Sequence, residues 1–198
     1  VERASRDRID FALQEQIPAQ QASLDVTLLL SVVKFDAFEW AIEKATELGV
    51  ARIVPVAAAR CEKGLLAAAA KRAERWQKIL LESSQQCRRL SVPRFEALAK
   101  PEIAFAAGTT DVRVISSELA SARPLRAVLA GETAQRAVLA VGPEGGWTEE
   151  EFAAAEARGF QQASLGQLIL RTETAVIVAL ASLNYALAPD NSSATAPV

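Results

Sequence analysis

Short apolar runs alternate with longer helix-forming stretches along most of the chain. Apolar segments of this length indicate buried β-strands, and we predict five of them, at residues 25–33, 51–56, 111–117, 136–142 and 161–166. Helices are predicted between Asp36 and Gly49 and over residues 65–90, 97–107, 148–158 and 172–188. Because strands that alternate with helices usually lie parallel, the pattern predicts an α/β fold with a mostly parallel sheet.

Several helix ends carry recognisable signals. Asp36 is predicted as an N-cap with Glu39 three residues later, and Thr148 with Glu151 has the spacing of a capping box. The stretch 65–90 is rich in helix formers and is predicted as one long helix. The last helix has no polar face, so we expect the core or a partner subunit to bury it on nearly all sides.

The composition excludes several kinds of chemistry. Of the 198 residues, 51% are hydrophobic and 23% charged, which is typical of a globular protein. The absence of histidine excludes Ser-His-Asp, Cys-His and HExxH sites. Cys61 and Cys87 form no CxxC pair, so no metal site is predicted. No secretory signal is visible, and the apolar stretch 175–188 is too short to cross a bilayer. A cytoplasmic protein without membrane contact is expected.

Basic residues concentrate in one part of a chain whose net charge is −2. Residues 60–94 hold nine Lys and Arg against three Glu, a local balance of 9 − 3 = +6. Such a patch attracts phosphates. The alternative is an ordinary solvated helix face.

Two loops have the character of a binding site. The first, residues 142–147 (GPEGGW), follows a predicted strand and precedes a helix, and its glycines let backbone approach a ligand closely. Glu144 has no capping duty there, so it is either functional or braces the loop. Glu149, Glu150 and Glu151 are better explained by the helix start.

The second loop, residues 165–171 (LGQLILR), leads into the helix that begins at Thr172. Its apolar side chains are suited to packing around a flat ring, and Arg171 needs an anion. A Rossmann or P-loop protein is excluded, because the glycine loop lies too late in the chain and GxxxxGK[ST] is absent.

In the sequences of these two loops, the chain resembles the RsmE family of rRNA methyltransferases. VGPEGGWTEEEF and LGQLILRTETA resemble that family's GPEGG and LGxRILRTETA segments, and similarity extends over about residues 24–187. The resemblance implies a SPOUT fold with a C-terminal trefoil knot and a homodimer. It also implies methylation by S-adenosyl-L-methionine (SAM) of N3 of a uridine in 16S rRNA of the small ribosomal subunit. Two positions depart from the family pattern, which usually has Arg at Leu168 and Glu at Gln85.

The resemblance also suggests which residues form the site. Catalytic candidates are Arg171, Glu173 and Glu144. Candidates for binding SAM are Ser117, Val141, Gly142, Gly145, Gly146, Leu165, Gly166, Ile169, Leu170 and Thr174. Candidates for contacting RNA are Lys34, Arg60, Arg88 and Arg89.

The resemblance divides the chain into three parts. Residues 1–22 are expected to be a linker or the end of a truncated N-terminal PUA-like RNA-binding domain, because the chain opens at Val1. The methyltransferase domain is expected at 23–188 and a disordered tail at 189–198. Three alternatives stay open: a SPOUT enzyme acting on tRNA, a catalytically weak RNA-binding module of the same fold, and an unrelated nucleotide-binding α/β enzyme.

Overall fold

Strands and helices alternate through the computed structural model, which describes residues 1–14, 24–106 and 112–187. Its strands are β1 (Arg3–Ala4), β2 (Ile9–Asp10), β3 (Asp25–Ser31), β4 (Arg52–Val56), β5 (Arg94–Phe95), β6 (Val112–Ser116), β7 (Arg123–Pro124), β8 (Arg136–Val141) and β9 (Gln161–Ser164). Its α-helices are α1 (Phe35–Glu47), α2 (Lys63–Ala69), α3 (Ala73–Gln86), α4 (Pro101–Phe105), α5 (Leu125–Val128), α6 (Glu149–Glu156) and α7 (Thr172–Leu187).

Seven of the strands form one sheet in the order β5-β4-β3-β8-β6-β9-β7. Every neighbouring pair in it is parallel. The predicted α/β class with a mostly parallel sheet is therefore confirmed. β1 and β2 pair with each other in antiparallel fashion as a separate two-stranded sheet.

Helices cover both faces of the sheet. Along β3, Leu28 and Leu30 point into a core cluster that includes residues of α1, α3, α5 and α7, whereas Leu29 points into a second cluster with α4 and α6. Successive side chains of a strand face opposite ways. This explains why β3 and β8 are nearly continuous apolar runs: both of their faces are buried.

Two predicted helix features are wrong. α1 begins at Phe35 after Lys34, so Asp36 is inside the first turn and is not the N-cap. Glu39 is instead largely buried and accepts hydrogen bonds from Arg75. The predicted single helix at 65–90 is divided by a 3₁₀ turn at residues 70–72. Arg72, in that turn, stacks over the Phe35 ring at 4.5 Å, a tertiary contact that helix propensity does not report.

Other boundaries differ in length. The helix predicted at 97–107 begins at Pro101, a residue favoured at a first helical position, and ends at Phe105. β5, β7 and α5 were not predicted, because segments of two to four residues carry no periodicity. Gly49 follows α1 with a φ of 87°, as expected for a helix stop. The tail at 189–198 lies outside the described residues.

The last helix is not buried on all sides within this chain. α7 packs against α1 and β8 through a face that includes Val176, Leu180 and Leu183. Tyr185, near its end, is 93% exposed. Within one chain the core covers only part of this helix, so its coverage by a partner subunit, the other possibility that the sequence offers, stays a prediction.

Candidate functional site

Three chain segments meet at one edge of the sheet. β8, β6 and β9 are neighbours in the parallel sheet, so their carboxyl ends point the same way. They are followed by the glycine loop (142–147), the 117–119 turn and the apolar loop (165–171). In open parallel sheets, ligands bind in crevices outside these carboxyl ends.

A cavity of about 260 Å³ lies between these segments. Its size is close to the lower limit of about 300 Å³ for small-molecule sites. Its wall is formed by Arg60, Ser116, Ser117, Glu118, Leu119, Val141, Gly142, Pro143, Glu144, Gly146, Trp147, Glu149, Phe152, Leu165, Gly166, Gln167, Leu168, Ile169, Leu170, Thr172 and Ala175.

A hydrogen bond joins the two predicted loops directly. The hydroxyl of Thr172, which is only 4% exposed, donates to the carbonyl of Gly142 at 3.1 Å. Thr172 follows the apolar loop and Gly142 opens the glycine loop. Two turns that lie far apart in the chain therefore enclose one site.

The glycine loop passes close to its surroundings. At Gly142 a β-carbon would come within 3.0 Å of Nε1 of Trp147. The Trp147 side chain is buried and packs edge-on against Phe105. Gly146 has a φ of 69°, a left-handed conformation, and its N–H donates to the Pro143 carbonyl at 2.8 Å. Both positions therefore favour glycine, Gly142 because of the close approach of Trp147 and Gly146 because of its left-handed backbone.

The start of α6 fixes the far end of the glycine loop. The predicted capping box is confirmed: Thr148 accepts from the Glu151 N–H, and Glu151 accepts from the Thr148 N–H at 2.8 Å. The backbone N–H of Glu150, and after it the Thr148 hydroxyl, hold the pKa of the Glu150 carboxyl below its usual value. This fits a role of these carboxylates at the helix start.

The loop between β4 and α2 is docked onto the glycine loop. Arg60 donates to the carbonyl of Gly145 at 2.6 Å and to that of Trp147 at 3.2 Å. The N–H of Ala59 donates to Glu151 at 2.7 Å. Cys61 is buried beside them, and burial raises the pKa of its thiol to about 11. Its sulfur is therefore protonated at neutral pH and is a poor nucleophile.

Most of the predicted cofactor residues surround the cavity. Among the lining residues are Ser117, Val141, Gly142, Gly146, Leu165, Gly166, Ile169 and Leu170. Gly145 and Thr174 are not among them. The structure brings these eight residues together around one cavity, while the contact of each residue with a cofactor stays a prediction.

The catalytic candidates are less tightly grouped. Glu144 lines the cavity and is exposed. Arg171 and Glu173 are not among the lining residues. Arg171 is exposed at the start of α7, where its carbonyl accepts the first helical hydrogen bond, from Ala175 at 2.8 Å. The three roles stay predictions.

The four RNA candidates have different surroundings. Arg60 lines the cavity, and Lys34 and Arg88 are exposed. Arg89 is half-buried, and its guanidinium donates to the carbonyls of Thr46 and Val50 at 2.9 and 2.8 Å. Arg89 thus has a structural role at the C-terminal end of α1. Burial lowers the pKa of its guanidinium. Its contact with RNA stays a prediction.

Glu118, Leu119 and Thr172 line the cavity but were absent from the predicted site. A usable signal existed for the first two: they directly follow the carboxyl end of a predicted strand. Thr172 was predicted only as a helix start. Its contact with Gly142, 30 residues away, is visible only in three dimensions.

The charge of the cavity wall is predominantly negative. Glu118, Glu144 and Glu149 contribute three carboxylates and Arg60 one guanidinium. Such a wall favours a cationic ligand group over a polyphosphate. Within residues 1–14, 24–106 and 112–187, no cluster of three or more potential metal ligands occurs. In the same ranges, no helix is long and apolar enough to span a membrane.

A comparison with protein families gives a match to the RNA methyltransferase domain over residues 20–184. The chain is 35% identical over 156 residues to Ribosomal RNA small subunit methyltransferase E of Mesomycoplasma hyopneumoniae (78% of this chain, 67% of the relative). It is 36% identical over 167 residues to the protein of the same name from Synechocystis (83% of this chain, 54% of the relative). The chain thus spans about half to two thirds of the length of these relatives.

A solved structure shows the same fold. The crystal structure of a ribosomal RNA small subunit methyltransferase E from Neisseria gonorrhoeae, bound to S-adenosyl methionine, aligns with a TM-score of 0.74 at 35% identity. The alignment covers 83% of this chain and 67% of the other.

Proposed function

Because this chain belongs to the RNA methyltransferase family, and within it to the ribosomal RNA small subunit methyltransferase E proteins, we propose that it methylates small-subunit rRNA with SAM as donor. The target atom proposed is N3 of a uridine. The observation that carries the proposal is the convergence of the glycine loop and the apolar loop on one cavity, joined by the Thr172–Gly142 hydrogen bond.

The residues of the cavity fit SAM. Leu165, Ile169 and Leu170 offer apolar surface for the adenine ring, and the glycine loop brings backbone close to the ligand. SAM carries a sulfonium and an ammonium against one carboxylate, so the three carboxylates of the wall suit it better than they suit ATP or NAD. When bound, SAM supplies an electrophilic methyl group.

The protein has to hold N3 of the uracil base in line with that methyl group, and a base has to accept the proton that N3 loses. Alignment supplies much of the rate acceleration in a displacement of this kind. Because histidine is absent, Glu144, Glu173 or water is proposed as the base. Arg171 is proposed to stabilise the developing anion or to hold a phosphate. No hydrogen bond or ion pair engages its guanidinium within the described part of the chain.

RNA is proposed to approach over Lys34, Arg60 and Arg88, together with the exposed lysines of the basic segment. N3 takes part in base pairing, so the target base has to be unpaired or flipped out. A homodimer is proposed because Ala181, Tyr185 and Ala186 of this mainly apolar helix are exposed in one chain. A trefoil knot in the C-terminal half and a cytoplasmic location are part of the same proposal.

The decisive experiment combines cofactor titration with a methyl-transfer assay. Calorimetry is expected to show SAM binding to this chain, with ATP and NAD as matched negative controls. Labelled methyl transfer to small subunits that lack the modification, mapped by reverse-transcription arrest, is expected to fall on one uridine. Binding of ATP or NAD without SAM would contradict the proposal. Methylation of tRNA alone would move the substrate, and SAM binding without transfer to any RNA would indicate a non-catalytic module.

A substitution at Arg171 tests the proposed mechanism. Arg171→Ala is expected to lower the methylation rate about 10²-fold or more, the order typical of losing a group that stabilises developing charge. SAM affinity is expected to stay near that of the parent, since Arg171 does not line the cavity. Arg171→Lys is the matched control that keeps the charge. Unchanged turnover in Arg171→Ala would remove this residue from the mechanism.

A further inference from the structure

A chain of three side chains runs from the protein surface to the cavity wall. Glu156, the exposed last residue of α6, accepts a hydrogen bond from Nε2 of Gln162 on β9 at 2.8 Å. Oε1 of Gln162 lies 3.1 Å from the hydroxyl of Ser117. Ser117 follows β6, is 9% exposed and lines the cavity. Three elements that are not consecutive in the chain thus meet in one line of polar atoms.

The direction of every hydrogen bond in this chain follows from Glu156. A carboxylate only accepts hydrogen bonds, so the amide nitrogen of Gln162 has to face it. The amide oxygen of Gln162 then faces Ser117, and the Ser117 hydroxyl has to donate to it. The carboxylate thus determines which end of the Gln162 amide faces the Ser117 hydroxyl.

The same logic limits what Ser117 can offer to a ligand. Its only proton is used by Gln162, and one lone pair accepts the N–H of Leu119 at 3.3 Å. One lone pair is left. Ser117 therefore presents an acceptor to the cavity and closes the turn that places Glu118 and Leu119 in its wall.

We infer that Glu156 and Gln162 are positioning residues that set the hydrogen-bond polarity of Ser117, so that this wall selects a cofactor group that donates a hydrogen bond, a hydroxyl or an amino group. The inference rests on the proposed function, because the donor group belongs to the cofactor. Among the described residues Glu156 forms no ion pair, and its carboxylate accepts a side-chain hydrogen bond from Gln162 alone.

The most direct test reverses the direction of the hydrogen bonds between Glu156, Gln162 and Ser117. In Glu156→Lys, the new ammonium donates, so the Gln162 amide turns over and its nitrogen faces Ser117. The Ser117 hydroxyl then has to donate towards the cavity. Calorimetry is expected to show SAM binding about three- to tenfold weaker, the value of one neutral hydrogen bond. Gln162→Leu, which removes the chain, is expected to give a similar loss.

Matched variants separate this effect from charge and from folding. Glu132→Lys makes the same charge change on an exposed turn and is expected to leave SAM affinity within about twofold, a change close to the usual error of such comparisons. Glu156→Gln keeps an acceptor and is expected to recover most of the binding. In the double variant Glu156→Lys with Ser117→Ala, the two losses are expected to be less than additive, because both act through one hydroxyl.

The outcome of these titrations distinguishes a failure of the proposed function from a failure of the inference alone. A parent chain that binds no SAM overturns the proposed function. A parent that binds SAM, with Glu156→Lys binding equally well at an unchanged melting temperature, overturns the inference alone. Additive losses in the double variant, or equal losses in Glu132→Lys and Glu156→Lys, overturn it too. If Gln162→Leu fails to fold, the surface variants Glu156→Lys and Glu156→Gln still decide the question.

Discussion

Replacing Gly142 with alanine tests how closely the glycine loop is packed. The new β-carbon would come within 3.0 Å of Nε1 and 3.2 Å of Cδ1 and Cε2 of Trp147. These atoms have to shift by a few tenths of an ångström. Trp147 is only 4% exposed and its ring lies 5.6 Å from that of Phe105, so it has little room to shift.

The expected cost follows from overpacking in a rigid core. Forcing a methyl group into a well-packed site typically destabilises by about 1–3 kcal/mol. Gly142→Ala is expected to fall in this range, measured as the free energy of unfolding in urea by circular dichroism at 222 nm. Gly64→Ala is the matched control, because its β-carbon would meet only Glu62, at 3.8 Å, inside α2. It is expected to be neutral or stabilising by up to about 1 kcal/mol.

A double-mutant cycle tests the cause. Trp147→Phe removes the pyrrole ring that meets the new β-carbon, together with an Nε1–H that has no hydrogen-bond partner. Gly142→Ala in the Trp147→Phe background is expected to cost at least about 1 kcal/mol less than in the parent. Additivity within about 0.5 kcal/mol would refute the reasoning, because the two sites would then not share the predicted contact.

Further predictions concern Arg89, Arg88 and Cys61. Arg89→Met is expected to destabilise the fold by about 1–3 kcal/mol in urea unfolding, because it removes the hydrogen bonds to the Val50 carbonyl and to the Thr46 carbonyl, which keeps only the Gly49 N–H. A change in RNA affinity alone would contradict this. Arg88→Gly is expected to stabilise the fold by up to about 1 kcal/mol, because Arg88 has a φ of 58°. Arg88→Glu is expected to weaken RNA binding and to flatten the dependence of that binding on salt. Unchanged RNA affinity in Arg88→Glu would show that this residue belongs only to a solvated face. Cys61, with a thiol pKa raised by burial to about 11, is expected to react with iodoacetamide at pH 8 far more slowly in the native than in the unfolded chain, as read by mass spectrometry; equal rates would contradict the burial.

Features that depend on neighbouring residues were predictable from the sequence. The alternation of strands and helices, the capping box of Thr148 and Glu151, and the glycine stop after α1 all follow from local spacing and backbone preference. The two loops were recognisable as a binding site because their residue types suit one. The folded structure places both loops around one cavity and joins them by the Thr172–Gly142 hydrogen bond.

Tertiary structure alone decided which partner each side chain meets. Glu39 has the spacing of a helix cap, yet it pairs with Arg75 from another helix. Arg89 is part of the basic segment in the sequence, but in the structure its guanidinium donates to the Thr46 carbonyl at the end of α1. The Ala59 N–H meets Glu151 across 92 residues. Periodicity and propensity describe the chain over a few residues, whereas these contacts depend on how distant elements pack, and no local pattern encodes that packing.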